Sequence, residues 1–496
     1  MEKIVWGESP LRWQEVVSVA KDRAVLALSS GAWQRIGNAR EIVTRIVADG
    51  QIAYGINTGL GALCNITLDE AQLGQLSRNT LLSHACGVGP LLSETQVRAV
   101  ICAAVANYSH GHSGVSPTVV QGLLSLLNSG ITPQVPSQGS VGYLTHMAHI
   151  GLALIGIGDV HYRGKVMPAA EALAAEDLAP CPLGAKDGLS LVNGTPCMTG
   201  LACLALDEAA RLLAWADVTG AMSFEALRGQ TDAFDAEILA LKGSANVQAV
   251  GERLRALLDG SEILAGSRGI RTQDALSLRS IPQIHGACRD QFDHAARQIE
   301  TELNAATDNP LILGTSERWR VVSQANPHGE SVAMAADLLA LALAEIGSVA
   351  ERRLDRLINP LVSALPPFLV SQPGVNSGMM IAQYVAASLC GENRRLAQPA
   401  VVDNFVTSGL QEDHLSMGTS AALKLLTLAE NVSQILAIEY LLAAQALDFH
   451  EAAKGEGTSQ AWALLRESIA NWTEDRWLAP EIAKAAALIK AGQVLL

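Results

Sequence analysis

Six polar segments hold the residue types that move protons and hold anions: Tyr54-Gly-Ile-Asn-Thr-Gly, Ser83-His84-Ala-Cys-Gly-Val-Gly, Val192-Asn193-Gly-Thr, Thr272-Gln273-Asp274 through Arg279, Ser323 through Glu330, and Gln411-Glu412-Asp413-His414. Each sets a phenol, imidazole, amide, guanidinium or carboxylate beside a glycine or a helix end. No nucleotide or metal motif accompanies them. His146 and His149 have the i, i+3 spacing of two ligands on a helix, but no carboxylate lies beside them, and no metal is expected. Taken singly, such residues are more often satisfied turns or caps. On residue type alone Tyr54 reads as a core tyrosine with a bonded hydroxyl, Arg279 as a partner for Asp274 or Glu412, and Asn193 as a turn residue.

A further stretch, Val135 to Gly158, runs a glycine-rich turn into an almost uncharged apolar segment. Gly139 and Gly142 permit positive φ and close approach of backbone to a reactive centre. Leu144 to Ile157 has the length and composition of a buried helix.

The elements that position these segments are helical. The chain has 496 residues, 49% of them apolar but only 4% aromatic, with Ala, Leu and Gly abundant. That suits closely packed helices better than a sandwich of Tyr-, Val- and Thr-rich strands, so the fold class is all-α. Thr67-Leu-Asp-Glu70 has capping-box spacing and starts a helix running through Gln72 to Ala85. Helices follow over Val97–Tyr108, Val119–Leu127, Ala169–Ala175, about 200–216 behind Pro196, and Val247–Leu258, with a loop over Gly260–Gly269. Three long apolar helices dominate the second half. One is buried along Ile284, Cys288, Phe292, Ala295, Ile299 and Leu303 until Asn309-Pro310 breaks it. The others span about 330–358 and 419–448, and the former is apolar almost all round, which requires neighbours on most sides. Two regions are expected, a loop-bearing N-terminal lobe over 1–198 and a long-helix bundle over 199–496.

A formal charge of −14 repels nucleic acid and anionic lipid, so neither is an expected partner. The N-terminal MEKIVWGESPLRW has no apolar signal core, and the longest apolar runs are interrupted by Glu345 or Glu439 or too short to span a bilayer; a cytoplasmic location is expected. Eight scattered cysteines form no Cys-x-x-Cys pair and read as buried thiols.

The blocks YGINTGLG, QLSRNTLLSHACGVG, GSVG, LVNGT, TQDALSLRSIPQ, NAATDNPL, NPHGE and SGLQEDHLSM resemble the histidine and aromatic amino-acid ammonia-lyase family along nearly the whole chain. The resemblance implies the family's fumarase/aspartase-like helical fold, a homotetramer with sites built from several subunits, and removal of ammonia from a small amino acid in amino-acid degradation. The product is an α,β-unsaturated acid such as urocanate. It implies that Tyr54 takes the substrate's β-proton and Arg279 binds its carboxylate. It further implies that Asn193 and Gln273 contact substrate or the cyclised electrophile, that Glu412 sits near the substrate's amino group or side chain, and that His84 selects the side chain, favouring a polar ring.

No separately bound cofactor is implied. The family makes its own electrophile, 4-methylidene-imidazol-5-one, from an Ala-Ser-Gly that follows Gly-Ser-Val-Gly. Here Tyr143 follows Gly142 directly and the three residues are absent. Ser140 is a poor substitute, because the β-branched Val141 after it resists the bend that cyclisation needs. Leu276 stands where the family usually has tyrosine, and Pro327 where histidine lyases have phenylalanine. These departures leave two further readings: a non-catalytic amino-acid-binding or regulatory relative, and an elimination whose leaving group needs no such activation.

Overall fold

The computed structural model describes residues 3–60, 63 and 65–492. Gly61, Ala62 and Cys64 of the YGINTGLG loop region lie outside the described residues; the seven described cysteines are free. The protein is mainly helical, with short strands in four small sheets among the described residues. It divides into two compact units. The first comprises Met1–Asp207, Ala295–Asp337 and Pro399–Leu423, the second Glu208–His294, Leu338–Gln398 and Lys424–Leu496.

In the first unit, side-chain caps set where the helices begin. Asp69 accepts from the Gln72 amide at 3.0 Å while Gln72 Oε1 takes the Asp69 N–H at 3.1 Å, so the helix is Glu70–His84. The box therefore lies two residues beyond the Thr67–Glu70 spacing, because Asp69 and Gln72 satisfy both orphan amides. Ser93 and Gln96 repeat the device for Glu94–Ser109, which is buried from Val97 onward. Strand Val88–Leu91 pairs antiparallel with Pro136–Gln138, Val88 opposite Gln138, which ties the loop after His84 to the start of the Gly139–Gly142 turn. The buried helix expected over 144–157 runs Thr145–Leu154. Lys186 and Asp308 form a fully buried ion pair at 2.7 Å, and Asp308 also accepts from Ser190 at 2.9 Å and from Ser113. A charge pair this deep is tolerable only because its remaining lone pairs are bonded.

In the second unit, the apolar stripes of long helices enclose two charged networks. Glu439 and Arg353, both 0% exposed, pair at 2.5 and 3.1 Å, and Glu439 also accepts from Thr219 at 2.8 Å and Ser223 at 2.9 Å. Asp217 is gripped by His285 at 2.8 Å and Arg289 at 2.5 Å.

The long helices Glu330–Ile358 and Gly418–Leu447 fall where their apolar runs place them, and Pro196–Ala226 extends well past its expected end. The Ile281–Leu303 helix stops ahead of Asn309-Pro310, and the chain turns into a hairpin of Leu311–Thr315 and Arg318–Val322. Glu262–Gly266 is a short helix inside the expected 260–269 loop. One expectation is corrected: Asp187–Ala226, Asn326–Ile358 and Gly418–Leu447 are long and apolar enough to cross a bilayer by length and composition. Of their most apolar windows, 100%, 67% and 61% are buried inside the protein.

Candidate functional site

Tyr54, His84, Asn193 and Glu412, drawn from four separate segments, line one cavity of about 1200 Å³ in the first unit. Tyr143, His328 and His414 line it too. A smaller cavity of about 510 Å³, bounded by Trp33, Leu154, Leu173 and Pro180, is mostly apolar; besides Thr118, Gln121 and Ser125 it holds Cys181, whose thiol burial pushes up to about 11. The two remaining sequence candidates lie in the second unit and are not among the cavity residues. Gln273 is exposed. Arg279 is half-buried and donates from Nε to the Asp274 carbonyl at 3.0 Å, while the Asp274 carboxylate is taken by Arg271 at 2.9 Å and the Gln230 amide at 2.5 Å.

The glycine-rich turn forms part of the cavity wall. Gly142 has φ +149°, and a Cβ there would sit 2.8 Å from Ser416 Oγ, so only glycine permits this approach. The Met417 amide donates to the Val141 carbonyl at 3.0 Å and Thr419 Oγ1 to the Gly142 carbonyl at 3.1 Å, docking the turn against the start of the Gly418–Leu447 helix. Directly after it the backbone is strained. Leu144 has φ 79° and ψ −67°, and the Thr145 amide donates to the Tyr143 carbonyl at 3.2 Å, a γ-turn of the disfavoured hand at a non-glycine residue. This turn follows directly on the Gly142–Tyr143 join.

Asn193 is 5% exposed, and its amide nitrogen donates to Asp308 Oδ1 at 3.1 Å and the Asn309 carbonyl at 2.8 Å. Both N–H bonds are thereby used, so toward a ligand Asn193 has only its carbonyl oxygen, an acceptor. Glu412 is held by Thr407, which exchanges backbone hydrogen bonds with it at 2.8 and 3.3 Å and donates from Oγ1 to Oε2 at 3.2 Å. Burial, then the charge and hydrogen bond of Glu412, then Tyr54, push the Tyr143 phenol up. Burial lowers His84, opposed by its hydrogen bond with Thr80 and the Glu412 charge, so the ring is neutral at pH 7. Tyr54, Tyr143, His84 and Glu412 thus form one interacting cluster.

His146 and His149 each spend a ring nitrogen on backbone. His149 Nε2 accepts from the Gly87 amide at 3.1 Å, and His146 Nε2 meets the Ser137 carbonyl at 2.9 Å. Burial disfavours charged His146, but the neighbouring Cys197 and that carbonyl outweigh it and hold the ring up at about 9.

The residues present do not fit the self-formed electrophile. No Ala-Ser-Gly lies between Gly142 and Tyr143. Ser140 Oγ is committed locally, donating to the Tyr143 carbonyl at 3.1 Å and accepting from the Gly142 amide at 3.0 Å, with Val141 where a flexible glycine would be needed.

A family model described as aromatic amino acid lyase matches residues 11–467, and the chain belongs to that family. It is 43% identical to the histidine ammonia-lyase of Symbiobacterium thermophilum, over 100% of this chain and 98% of that one. Among solved structures it resembles histidine ammonia-lyase from Trypanosoma cruzi, with a TM-score of 0.92 at 36% identity over 99% of this chain and 94% of that one. It also resembles the ergothioneine-degrading enzyme ergothionase from Treponema denticola, with a TM-score of 0.93 at 30% identity over 100% of both chains. The fold is the helical ammonia-lyase fold that the sequence blocks imply.

Sequence reasoning assigned no role to Tyr143, His328 or His414. The loops holding the two histidines stood out as polar segments, but nothing in their local spacing shows that residues 86 positions apart meet.

Proposed function

We propose that the chain is a histidine ammonia-lyase-like enzyme that takes histidine or a related aromatic amino acid and eliminates its nitrogen to give an α,β-unsaturated acid such as urocanate. The observation that carries this is the convergence of Tyr54, His84, Asn193 and Glu412 on one cavity. In the elimination, the Cβ–H proton passes to Tyr54, the C–N electron pair leaves with nitrogen, and the Cα–Cβ double bond forms. Glu412 faces the departing nitrogen, Asn193 accepts a hydrogen bond from it, and neutral His84 contacts the ring. Arg279 holds the carboxylate from a neighbouring subunit of a cytoplasmic homotetramer, and Gln273 contacts substrate with it. Exposed Ile381, Tyr384 and Val385, one turn apart on the Met380–Leu396 helix, support such assembly.

A second reading of the leaving group has its own support. The direct Gly142–Tyr143 join removes the electrophile's precursor, and we read that loss as genuine. Unassisted elimination then calls for a nitrogen that departs without activation, and a quaternary ammonium does so as a neutral amine. Two phenols and a carboxylate facing one cavity suit such a cation. The likeness to ergothionase points the same way.

One experiment separates the readings. The purified protein is incubated with histidine, tyrosine, phenylalanine and Nα-trimethylated histidine, and the absorbance of the unsaturated acid is followed. Product from histidine supports ammonia loss, product from the trimethylated compound alone supports the second reading, and no product from any overturns both and leaves amino-acid binding without turnover. Intact mass matching the uncyclised chain confirms that no electrophile contributes.

A further inference from the structure

His328, Glu330 and His414 each offer one ligand atom, and the three atoms lie within 4.8 Å of one another. We infer that they form a divalent transition-metal site, of the two-nitrogen, one-carboxylate kind that takes zinc or cobalt, in the wall of the cavity. The proposal does not depend on which substrate the cavity turns over.

The two imidazole nitrogens are spaced close to what an ion needs. His328 Nε2 lies 3.0 Å from His414 Nδ1, so one ring donates an N–H to the other. Tetrahedral bonds of about 2.0–2.1 Å hold two nitrogens ~3.4 Å apart, a few tenths of an ångström wider. An ion takes the place of the shared proton. Glu330 Oε2 accepts no hydrogen bond and lies 3.7 Å from His328 Nδ1, on a side chain that is 40% exposed and can turn toward the His328–His414 pair. Both rings are at least partly accessible and line the cavity, so an ion has an entry path. Three protein ligands leave one position for water or for a bound amino acid. The sequence expectation of no metal weighed only His146 and His149, whose ring nitrogens are spent on backbone.

Chelator-stripped protein is titrated with Zn²⁺ by calorimetry and with Co²⁺ by visible absorption, alongside His328→Gln, His414→Ala and the control His161→Ala. The expected result is one ion per chain, a tetrahedral cobalt band, at least tenfold weaker binding in both site variants, and parent affinity in the control. No uptake by the parent, or site variants within twofold of it, overturns the proposal. Carbethoxylation of the folded parent, read by peptide mass, tests the site without any substitution: Zn²⁺ protects His328 and His414 together, or the site does not exist.

Discussion

Glu439 and Glu412 are the same side chain put to opposite uses. Glu439, in the second unit, is 0% exposed and both its oxygens are bonded, to Arg353, Thr219 and Ser223. Glu412, in the first unit, is half-buried, has a hydroxyl bond from Thr407, and faces a cavity shared with Tyr143 and His84. A saturated carboxylate contributes to the fold and has nothing left for a ligand. One held only by hydroxyls, from Thr407 and Tyr143, can still accept from a bound molecule and shift the protonation of its neighbours. Burial and full pairing therefore mark charged groups that hold the protein together, whereas partial pairing beside a cavity marks those that act.

The largest expected difference is in stability. Glu439→Ala strands the Arg353 guanidinium in an apolar interior and costs ~3–5 kcal/mol, whereas Glu412→Gln stays within about 1 kcal/mol of the parent. Urea midpoints of the two variants test this, and equal losses would break the distinction. Glu412→Gln acts instead on its neighbours. Removing its charge lets the Tyr143 phenol fall toward its ordinary range and drives the His84 pKa further down, readable by tyrosinate absorbance and imidazole NMR.

Acid acts next. Burial lowers His285, only partly opposed by Asp217, so its folded-state pKa is below the unfolded value of 6.5. The unfolded chain binds the proton first. Stability is complete above about pH 6.5 and declines as pH falls from there toward the folded value. Burial raises Asp217, but the His285 hydrogen bond and the Arg289 and Arg253 charges outweigh it. Its net-lowered pKa contributes stability that is present above 3.8 and lost as pH falls through the folded value. Denaturant midpoints at pH 7.5 and 5.5 should therefore differ in the parent and differ less in His285→Gln, where His110 and His450, also lowered by burial, keep part of the slope. His84 is also lowered by burial but is half-exposed, so His84→Gln should leave that slope in place.

How much of this could be read from the sequence follows from the range over which each signal acts. The Glu330–Ile358 and Gly418–Leu447 helices were legible because their apolar periodicity is local and long. Met380–Leu396 was not assigned, because it exposes Ile381, Tyr384 and Val385 and buries only Ala382, Ala386 and Asn393, which blurs its stripe. Tyr54, His84, Asn193 and Glu412 were found through motif blocks, and the structure brings them together. Gln273 and Arg279 came from the same kind of block and lie in the other unit, since a motif records what a residue resembles and not which cavity it reaches. The His328–His414 contact is a product of tertiary packing and leaves no trace in local spacing.

The smallest expected effect carries the comparison into the backbone. Helix walls around Glu439 keep ordinary dihedrals, whereas Leu144 at the cavity rim holds φ 79° and ψ −67°. A non-glycine residue there stores ~1–3 kcal/mol, which glycine relieves. In an ordinary position glycine is less stable than alanine by roughly 0.5–1 kcal/mol. At Leu144 the order should invert. Leu144→Ala and Leu144→Gly lose the same half-buried side-chain contacts, but only glycine releases the strain, so Leu144→Gly should be the more stable by about 1 kcal/mol. Thermal midpoints of the two variants decide it. An alanine variant as stable as the glycine one would mean that the chain crosses from Gly142 to Thr145 without the γ-turn, and that Tyr143 owes its place in the cavity to something other than the shortened connection.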